Sequence, residues 1–254
     1  MVAAEEPLQL LLDGEPLSVI MRTPGNDIEL ALGLLWSERV IRALPDVDCL
    51  KISAEAGEKE DRVRVLPELY ESNQVDVHLG GSAGRRPQRS FLASSACGVC
   101  GATTVESLSL DFPAVAEGHP VTAAVLGQLP ATLREGQALF DLTGGLHAAA
   151  AVDESGRVAA VREDVGRHNA VDKVVGRLLL DGRLPASDLL LAVSGRAGYE
   201  VVQKAVAAGF PIVAAVGAPS SLAVATAERF GVTLVGFLRA DRFNVYSAPS
   251  RVIS

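Results

Sequence analysis

Three continuous apolar runs in the last third of the chain constrain its fold more than any other feature. They are Leu189–Val193, Ile212–Val216 and Val232–Leu238. Runs without polar alternation are typical of strands that are covered on both faces, as in a parallel sheet. Helices predicted over Tyr199–Ala208 and Ser220–Phe230 separate the three runs. The pattern therefore predicts an α/β fold in which helices sandwich a sheet.

The segment before these runs predicts further elements of the same domain. Leu146–Val152 and Arg157–Val161 flank a short turn, which predicts a hairpin. A helix is expected over Ala131–Phe140, and a second helix with one buried face is expected to end at Gly182. The apolar residues of that second helix follow helical spacing: Val171, Val174, Val175, Leu178 and Leu179.

The first third of the chain predicts a small α/β unit. Leu8–Leu12 and Leu17–Met21 flank an Asp-Gly turn, which is a hairpin signal. Asn26 is expected to cap a helix that runs to about Glu38, with Glu29 completing a capping box. Three further strands are expected after it: Lys51–Ser53, Arg62–Leu66 and Val75–Leu79.

The length and composition allow two domains. The chain has 254 residues, of which 48% are apolar and only 4% aromatic, so its core is built mainly from Ala, Val and Leu. Gly80–Arg89 offers no side chains that could build a core and predicts a linker. We therefore expect residues 1–88 to form a smaller N-terminal α/β domain with its linker, and residues 89–254 to form the larger sheet domain.

Charge and hydropathy argue against some classes of function. The formal net charge is -8 at pH 7, which argues against general nucleic-acid binding. No apolar stretch reaches the roughly 18 residues that a membrane-spanning helix needs. The N-terminal residues MVAAEEPLQL are acidic and lack the apolar core of a signal peptide. We therefore expect a cytoplasmic protein without membrane or nucleic-acid partners.

Cys97 and Cys100 form a CxxC pair beside two glycines that leave room for another molecule to approach the sulfurs. A thiolate is nucleophilic, and its pKa falls near cations or helix N-termini. In a reducing compartment such a pair is more often reactive or metal-binding than a structural disulfide. An incidental or buried pair is the alternative that the spacing leaves open.

Zinc binding and thioredoxin chemistry explain this pair less well. A zinc site needs about four ligands, and Cys49 and the scattered histidines provide no second CxxC or HxxxH. A thioredoxin centre lies at the strand-to-helix turn of an early βαβ unit, whereas a polar linker precedes Cys97. Zinc deaminases carry an H-x-E before P-C-x-x-C. Ala96 precedes Cys97 and no histidine begins an H-x-E, so deaminase chemistry is strongly disfavoured.

Two loops between strand and helix are candidate sites for an anionic ligand. Ser194–Gly198 and Gly217–Ser221 each follow an apolar run and begin a helix. Free backbone N–H groups at such junctions bind phosphate, and ligands of open α/β sheets gather at the carboxyl ends of the strands. With Arg196, the loops predict a ligand with more than one phosphate, while ordinary tight connections remain the alternative. The chain contains no P-loop or GxGxxG motif.

Two charged segments complete the candidate site. Arg162–Lys173 lies between a predicted strand and a predicted helix, and His168 within it can titrate near neutral pH. A solvated helix start is the alternative for this segment. Arg239 and Arg242 follow the last apolar run and can bind phosphate in a bidentate manner. An exposed C-terminal turn is the alternative for these arginines.

Long motifs in order along nearly the whole chain resemble the formate dehydrogenase accessory sulfurtransferase family, FdhD. They are MRTPGNDIELALGLLWSE, SSACGVCG, LTGGLHAAA, REDVGRHNAVDKVVG, SGRAGYEVVQKA, AVGAPSSLAV and GFLRADRFNVYS. One departure is Ala96, where the family commonly has Ser, and this departure leaves both thiols in place.

The resemblance implies a cytidine deaminase-like three-layer sheet domain with a smaller N-terminal α/β domain, and a homodimer. It implies that sulfur passes from a cysteine desulfurase to the bis(molybdopterin guanine dinucleotide) molybdenum cofactor that formate dehydrogenase uses. By motif position, Cys97 would carry the sulfur as a persulfide with Cys100 assisting, and Phe237–Arg242 would contact the cofactor.

Taken with the residues themselves, the resemblance predicts a sulfurtransferase that holds no metal ion of its own and binds GDP as a mimic of the cofactor. The residues predicted to bind the cofactor are Phe237, Leu238, Arg239, Ala240, Asp241, Arg242, Ser194, Gly195, Arg196, Gly217, Ser220 and His168. A chaperone that binds the cofactor without chemistry at Cys97 is the alternative from another class. A zinc-dependent hydrolase is a third reading, disfavoured by the missing H-x-E.

Overall fold

The computed structural model describes residues 1–52, 63–65, 73–80 and 112–254. These residues form a five-stranded sheet, a six-stranded sheet and a two-stranded ribbon. None of the helices in these ranges is long and apolar enough to cross a membrane.

The five-stranded sheet is built by the N-terminal part of the chain. Its strands are β1 Glu6–Leu12, β2 Glu15–Arg22, β3 Val47–Ile52, β4 Val63–Val65 and β5 Gln74–Leu79. They lie in the order β2-β1-β5-β3-β4, and helix α1, Asp27–Ser37, covers one face. The predicted β1–β2 hairpin is confirmed, because Asp13 and Gly14 take the positive φ angles, 53° and 82°, that a tight two-residue turn requires.

The capping box predicted at the start of α1 is wrong. Asn26 occupies the N-cap position with a left-handed φ of 58°, and its side chain makes no capping hydrogen bond to the start of α1. Glu29 is buried, and its Oε1 accepts a hydrogen bond of 2.6 Å from Nη2 of Arg162. The carboxylate of Glu29 therefore forms a long-range ion pair with Arg162 and does not cap the start of the helix.

The six-stranded sheet and its helices form the second half of the molecule. The remaining elements are β6 Val121–Thr122, α2 Ala123–Glu135, α3 Ala138–Thr143, β7 His147–Asp153, β8 Val158–Asp164, α4 Arg167–Leu180, β9 Leu189–Val193, α5 Tyr199–Ala208, β10 Ile212–Ala215, α6 Ser221–Phe230, β11 Thr233–Gly236, β12 Asn244–Ser247 and β13 Val252–Ile253. The strand order is β12-β11-β10-β9-β7-β8, while β6 and β13 pair separately. β9, β10 and β11 are parallel, and β7 runs antiparallel to β9.

Helices cover both faces of the six-stranded sheet. Because successive residues of a strand face opposite sides, Ala149 and Ala151 contact the layer formed by α4, α5 and α6, whereas Ala148 and Ala150 contact α2. The three apolar runs and the β7–β8 hairpin are confirmed as elements of a three-layer α/β fold. Strand β12 and the ribbon strands β6 and β13 are elements that the sequence pattern did not predict.

The helix predicted over Ala131–Phe140 is interrupted, so the structure contains α2 and α3 instead. The break lies at Gly136 and Gln137, where the chain packs against β8. A Cβ added to Gly136 would lie 2.6 Å from Cγ2 of Val161, so only glycine permits this approach. The break places Gln137 at the junction of the two helices.

Helices α1 and α4 join the two sheets through backbone contact. A Cβ added to Gly33 would lie 1.9 Å from the carbonyl oxygen of Asp172, and one added to Gly176 would lie 1.9 Å from that of Glu29. Two glycines on facing helices therefore let the backbones touch. The contact places α1 directly against α4, the helix that follows β8 of the larger sheet.

Candidate functional site

One edge of the six-stranded sheet gathers most of the predicted site residues. The carboxyl ends of the parallel strands β9, β10 and β11 lead into the loops at Ser194–Gly198, Gly217–Ser220 and Phe237–Arg242. The antiparallel strand β7 begins at the same edge with His147. Helix α4 begins there too, because β8 runs parallel to β9 and ends beside the start of β7.

The loops after β9 and β10 lie against one another. The N–H of Gly217 donates a hydrogen bond of 2.9 Å to the carbonyl oxygen of Gly195. A Cβ added to Gly217 would lie 2.8 Å from that oxygen and 2.8 Å from Cα of Arg196. Gly217 is therefore required for the approach of these two loops, and the loops form a single surface.

Three backbone N–H groups that the sequence predicts to be free for a phosphate are engaged within the loops. Gly217 donates to Gly195, Ser220 donates to the carbonyl oxygen of Ala197 at 3.1 Å, and Gly198 donates to that of Arg196 at 3.1 Å. These bonds stabilise the loops themselves. A phosphate at this edge would therefore rely on side chains, such as the exposed guanidinium of Arg196, as well as on the remaining backbone groups.

Phe237–Arg242 forms the turn that the sequence predicts. The N–H of Arg239 donates a hydrogen bond of 2.9 Å to the carbonyl oxygen of Arg242, and Phe237 takes a left-handed φ of 53°. Nη1 of Arg239 donates to the carbonyl oxygen of Val216 at 2.8 Å, which ties the turn to the loop after β10. Arg242 instead remains exposed beside Asp241, with 3.4 Å between Nη1 and Oδ2. Both arginines are exposed, and they differ in that Arg239 is hydrogen-bonded to the loop after β10.

His168 lies at the start of α4 and is paired with a carboxylate of α5. Its Nε2 is 2.9 Å from Oε2 of Glu200, and both side chains are largely buried. Burial alone would raise the pKa of Glu200, but the hydrogen bond and charge of His168 outweigh it and hold that pKa below its ordinary value. The pair links two helix N-termini at the sheet edge.

His147 lies at the same sheet edge and was not among the residues predicted from the sequence. Burial, together with the positive charges of Arg167, His168 and Arg196, lowers its pKa below the ordinary value. Its imidazole is therefore neutral at pH 7. A Cβ on Gly195 would lie 3.2 Å from Nδ1 of His147, so the ring lies directly against the loop after β9. Its place in the LTGGLHAAA motif was the signal that could have identified it.

A cavity of about 470 Å³ opens between the α2–α3 junction and the sheet edge. It is lined by Pro130, Leu133, Arg134, Gln137, Phe140, Gly144, Gly145, Leu146, His147, Ser194 and Val216. Of the residues predicted from sequence, Ser194 alone is in this lining, and Gln137 and His147 supply polar groups that were not predicted.

The charged segment Arg162–Lys173 does not start a solvated helix, and this alternative is wrong. Nζ of Lys173 lies 2.7 Å from Oδ2 of Asp164, and both side chains are at most 1% exposed. The N–H of Thr23 also donates to Oδ2 of Asp164, at 3.1 Å, and Nδ2 of Asn169 donates to Oδ1 at 2.8 Å. These contacts attach the end of β2 to the start of α4 beneath the candidate site.

Cys97 and Cys100 lie outside the described residues, as does most of the predicted linker. Among the described residues, no group of three or more His, Cys, Asp or Glu side chains could hold a metal ion. Cys49 is half-buried on β3 and unbonded to another cysteine.

Comparison with known proteins extends the argument to the whole chain. The FdhD/NarQ family model matches residues 3–253. The sulfur carrier protein FdhD of Nocardia farcinica is 49% identical, over 100% of this chain and 88% of that protein. The protein of the same name from Sulfolobus acidocaldarius is 42% identical over 99% of this chain and 90% of its own length. A crystal structure named for a formate dehydrogenase accessory protein from Desulfotalea psychrophila is 27% identical, with a TM-score of 0.75, and the match covers 99% of this chain and 90% of that one.

Proposed function

The chain belongs to the FdhD/NarQ family, whose curated relatives are sulfur carrier proteins, and from that premise we propose that it is a sulfurtransferase for a molybdenum cofactor. Its sulfur donor is a cysteine desulfurase. Its substrate is the bis(molybdopterin guanine dinucleotide) cofactor that formate dehydrogenase uses. The observation that carries the proposal is full-length similarity to sulfur carrier proteins in a chain with a CxxC pair.

The first step is exchange between a thiolate and a persulfide. The Cys97 thiolate attacks the outer sulfur of the persulfide on the donor enzyme. A new S–S bond forms on Cys97, the S–S bond of the donor breaks, and the donor cysteine leaves as a thiolate. Access and thiolate fraction control the rate of such exchange, which is consistent with the glycine that follows each cysteine, Gly98 and Gly101.

The second step releases the sulfur. Cys100 attacks the inner sulfur of the Cys97 persulfide, so that a disulfide forms and the outer sulfur leaves as hydrosulfide. The cysteine pair supplies the electrons for this reduction. Hydrosulfide then replaces an oxygen ligand on the metal of the cofactor. The displaced oxygen is protonated and departs as water. A cellular dithiol returns the cysteine pair to its reduced state.

The sheet edge is the part of the protein that we assign to the cofactor. Ser194, Gly195, Arg196, Gly217 and Ser220 lie on its two touching loops. The turn adjoins these loops and consists of Phe237, Leu238, Arg239, Ala240, Asp241 and Arg242. His168 lies at the start of the neighbouring helix α4. Exposed arginines beside glycine loops suit the diphosphate groups of a dinucleotide. The proposal includes a homodimer that acts in the cytoplasm and contacts both partner enzymes.

Intact mass spectrometry after incubation with a desulfurase and cysteine tests the proposal. The wild-type protein should gain one sulfur atom, and Cys97→Ala should gain none. Cys49→Ala is the matched control, because Cys49 lies on β3 in the N-terminal sheet and should not affect loading. If Cys97→Ala still loads sulfur, the assignment of Cys97 is wrong. If Cys97→Ala still activates formate dehydrogenase, the cofactor chaperone becomes the better description.

A further inference from the structure

Two charged pairs connect α4 and α5 near the functional edge. In the first pair, Nε2 of His168 lies 2.9 Å from Oε2 of Glu200. In the second pair, one turn further along both helices, Nζ of Lys204 donates to both carboxylate oxygens of Asp172 at 2.8 Å. Ser37 of α1 donates to the same aspartate at 3.0 Å. These contacts hold the two helices together, so the position of Glu200 against His168 is preorganised.

The carboxylate of Glu200 is ionised and forms its hydrogen bond with His168. Burial acts to raise the pKa of Glu200, but the hydrogen bond and charge of His168 hold that pKa below its ordinary value. An ionised carboxylate only accepts hydrogen bonds, so Nε2 of His168 carries a proton. Oε1 of Glu200 is buried and has no hydrogen-bond partner within the described part of the chain. Such unpaired buried groups are rare, and some of them serve a function.

The two histidines at the sheet edge lie in different electrostatic surroundings. Burial and the positive charges of Arg167, His168 and Arg196 lower the pKa of His147, so its ring is neutral at pH 7. His168 follows Arg167 in the first turn of α4, where the helix dipole also disfavours a cation. The contact with Glu200 offsets these unfavourable charges at His168. His168 is therefore the histidine of this edge that is equipped to hold a second proton.

The other titratable and charged groups near this pair come from every element packed around it. They are Asp164 at the end of β8, His147 on β7, Arg196 after β9, Arg167 and Asp172 on α4, Tyr199 and Lys204 on α5, and Glu38 on α1. Asp164 and Asp172 are each paired with a lysine, at 2.7 and 2.8 Å. Glu200 is thus the carboxylate in contact with His168.

Delivery of sulfur to the cofactor requires a proton donor. Hydrosulfide brings one proton, whereas the oxygen that it replaces needs two protons to leave as water. Arginine side chains keep their protons, and the ring of His147 is already neutral. Histidine is the side chain that ordinarily exchanges a proton near neutral pH. Among the described residues of the edge, His168 is therefore the group that suits this task.

We infer that His168 donates the second proton to the displaced oxygen and that Glu200 is the positioning residue that keeps the His168 ring protonated and oriented. In this step the N–H bond at Nδ1 breaks and an O–H bond forms. The ring becomes neutral while its Nε2–H stays bonded to Glu200, and the proton neutralises the charge that hydrosulfide brings. Solvent then returns a proton to the ring, whose side chain is 12% exposed. The inference rests on the proposed function, because it assigns one step of that reaction.

The rate at which the sulfur-loaded full chain activates formate dehydrogenase, measured from pH 6 to pH 8, tests the inference. His168→Gln should slow activation by about 100-fold, the loss of a general acid. Glu200→Gln should slow it by about tenfold at pH 8 and by less toward pH 6, because a ring without the carboxylate releases its proton at lower pH. In the His168→Gln background, Glu200→Gln should cause no further loss, because Glu200 acts through His168.

Glu38→Gln is the matched control, since it removes another largely buried carboxylate near Lys204 and Glu200 that does not contact His168. Its pH profile should match that of the wild type. Sulfur loading, followed by intact mass, should be unchanged in every variant. Glu200→Gln should also unfold at the wild-type temperature at pH 8, because the amide oxygen still accepts from Nε2.

Three results would overturn the inference while the wild type remains active. They are unchanged activation in His168→Gln, an equal loss at pH 6 and pH 8 in Glu200→Gln, and loss of sulfur loading in either variant. The second result together with a lower unfolding temperature would show that Glu200 has a structural role. A wild-type protein that loads sulfur but does not activate formate dehydrogenase would instead overturn the proposed function, and the inference with it.

Discussion

Replacing Lys173 by methionine removes a buried ion pair on which the start of α4 depends. Lys173 is 1% exposed, and its Nζ contacts Oδ2 of Asp164 at 2.7 Å and donates to the carbonyl oxygen of Thr23 at 2.9 Å. Methionine retains most of the aliphatic side chain but none of the charge. The substitution therefore leaves a fully buried carboxylate without its cation and a carbonyl group without one donor.

The structure sets the size of the expected loss. Removing one partner of a buried ion pair costs about 3–5 kcal/mol. Asp164 would retain hydrogen bonds from the N–H groups of Thr23 and Gly166, at 3.1 and 2.8 Å, and from Nδ2 of Asn169 at 2.8 Å. These donors still stabilise the carboxylate, so we expect a loss of about 3 kcal/mol, at the lower end of that range.

Urea unfolding at pH 7 measures this loss. Arg157→Met is the matched control: Nε of Arg157 is 2.8 Å from Oδ2 of Asp153, but the arginine side chain is 83% exposed. An exposed ion pair contributes at most about 1 kcal/mol. A second variant, Lys173→Met with Asp164→Asn, should recover part of the stability because no uncompensated charge remains. If Lys173→Met costs no more than Arg157→Met, the buried pair does not stabilise this junction and the reasoning fails.

Three further predictions follow from contacts at and below the site. Arg242→Ala should weaken GDP binding at low ionic strength by about 1.5 kcal/mol while sulfur loading is unchanged; calorimetry showing equal affinity would remove Arg242 from the site. The pKa of His147 is lowered on folding, so stability is lost as pH falls below about 6.5. His147→Gln should show a smaller loss than wild type in urea unfolding at several pH values, and an identical pH dependence would contradict the assignment. Gly33→Ala places a Cβ 1.9 Å from a backbone oxygen of α4 and should cost at least about 1–3 kcal/mol. Gly198→Ala is the control in thermal unfolding, because a Cβ at Gly198 would have no atom within 4 Å. Equal unfolding temperatures for the two variants would argue against the close α1–α4 contact.

Interactions close in sequence were predicted well. The β1–β2 hairpin depends on a two-residue turn, and strands β9, β10 and β11 are apolar along their whole length. Each of these signals lies within a few residues, where periodicity and turn chemistry decide the conformation. The loops of the sheet edge were predicted for the same reason, since they immediately follow those strands.

The roles of individual polar side chains were predicted poorly, because their partners are distant. Glu29 fits a capping box by local spacing, yet it pairs with Arg162, 133 residues away. Gly217 was expected to leave its N–H free, but the close approach of the preceding strand's loop engages it. A buried ion pair or a loop–loop contact outweighs a local preference of about 1 kcal/mol.

The sequence by itself determined the fold class, the three apolar strands with the loops that follow them, and the family to which the chain belongs. Only the tertiary structure decided that Gln137 and His147 line one cavity and that Arg239 is hydrogen-bonded to the loop after β10. The physical reason is that secondary structure follows from patterns along a few residues. A site also depends on which polar side chains are buried and which residues of other elements form hydrogen bonds with them. These partners come together only when the layers of the fold pack.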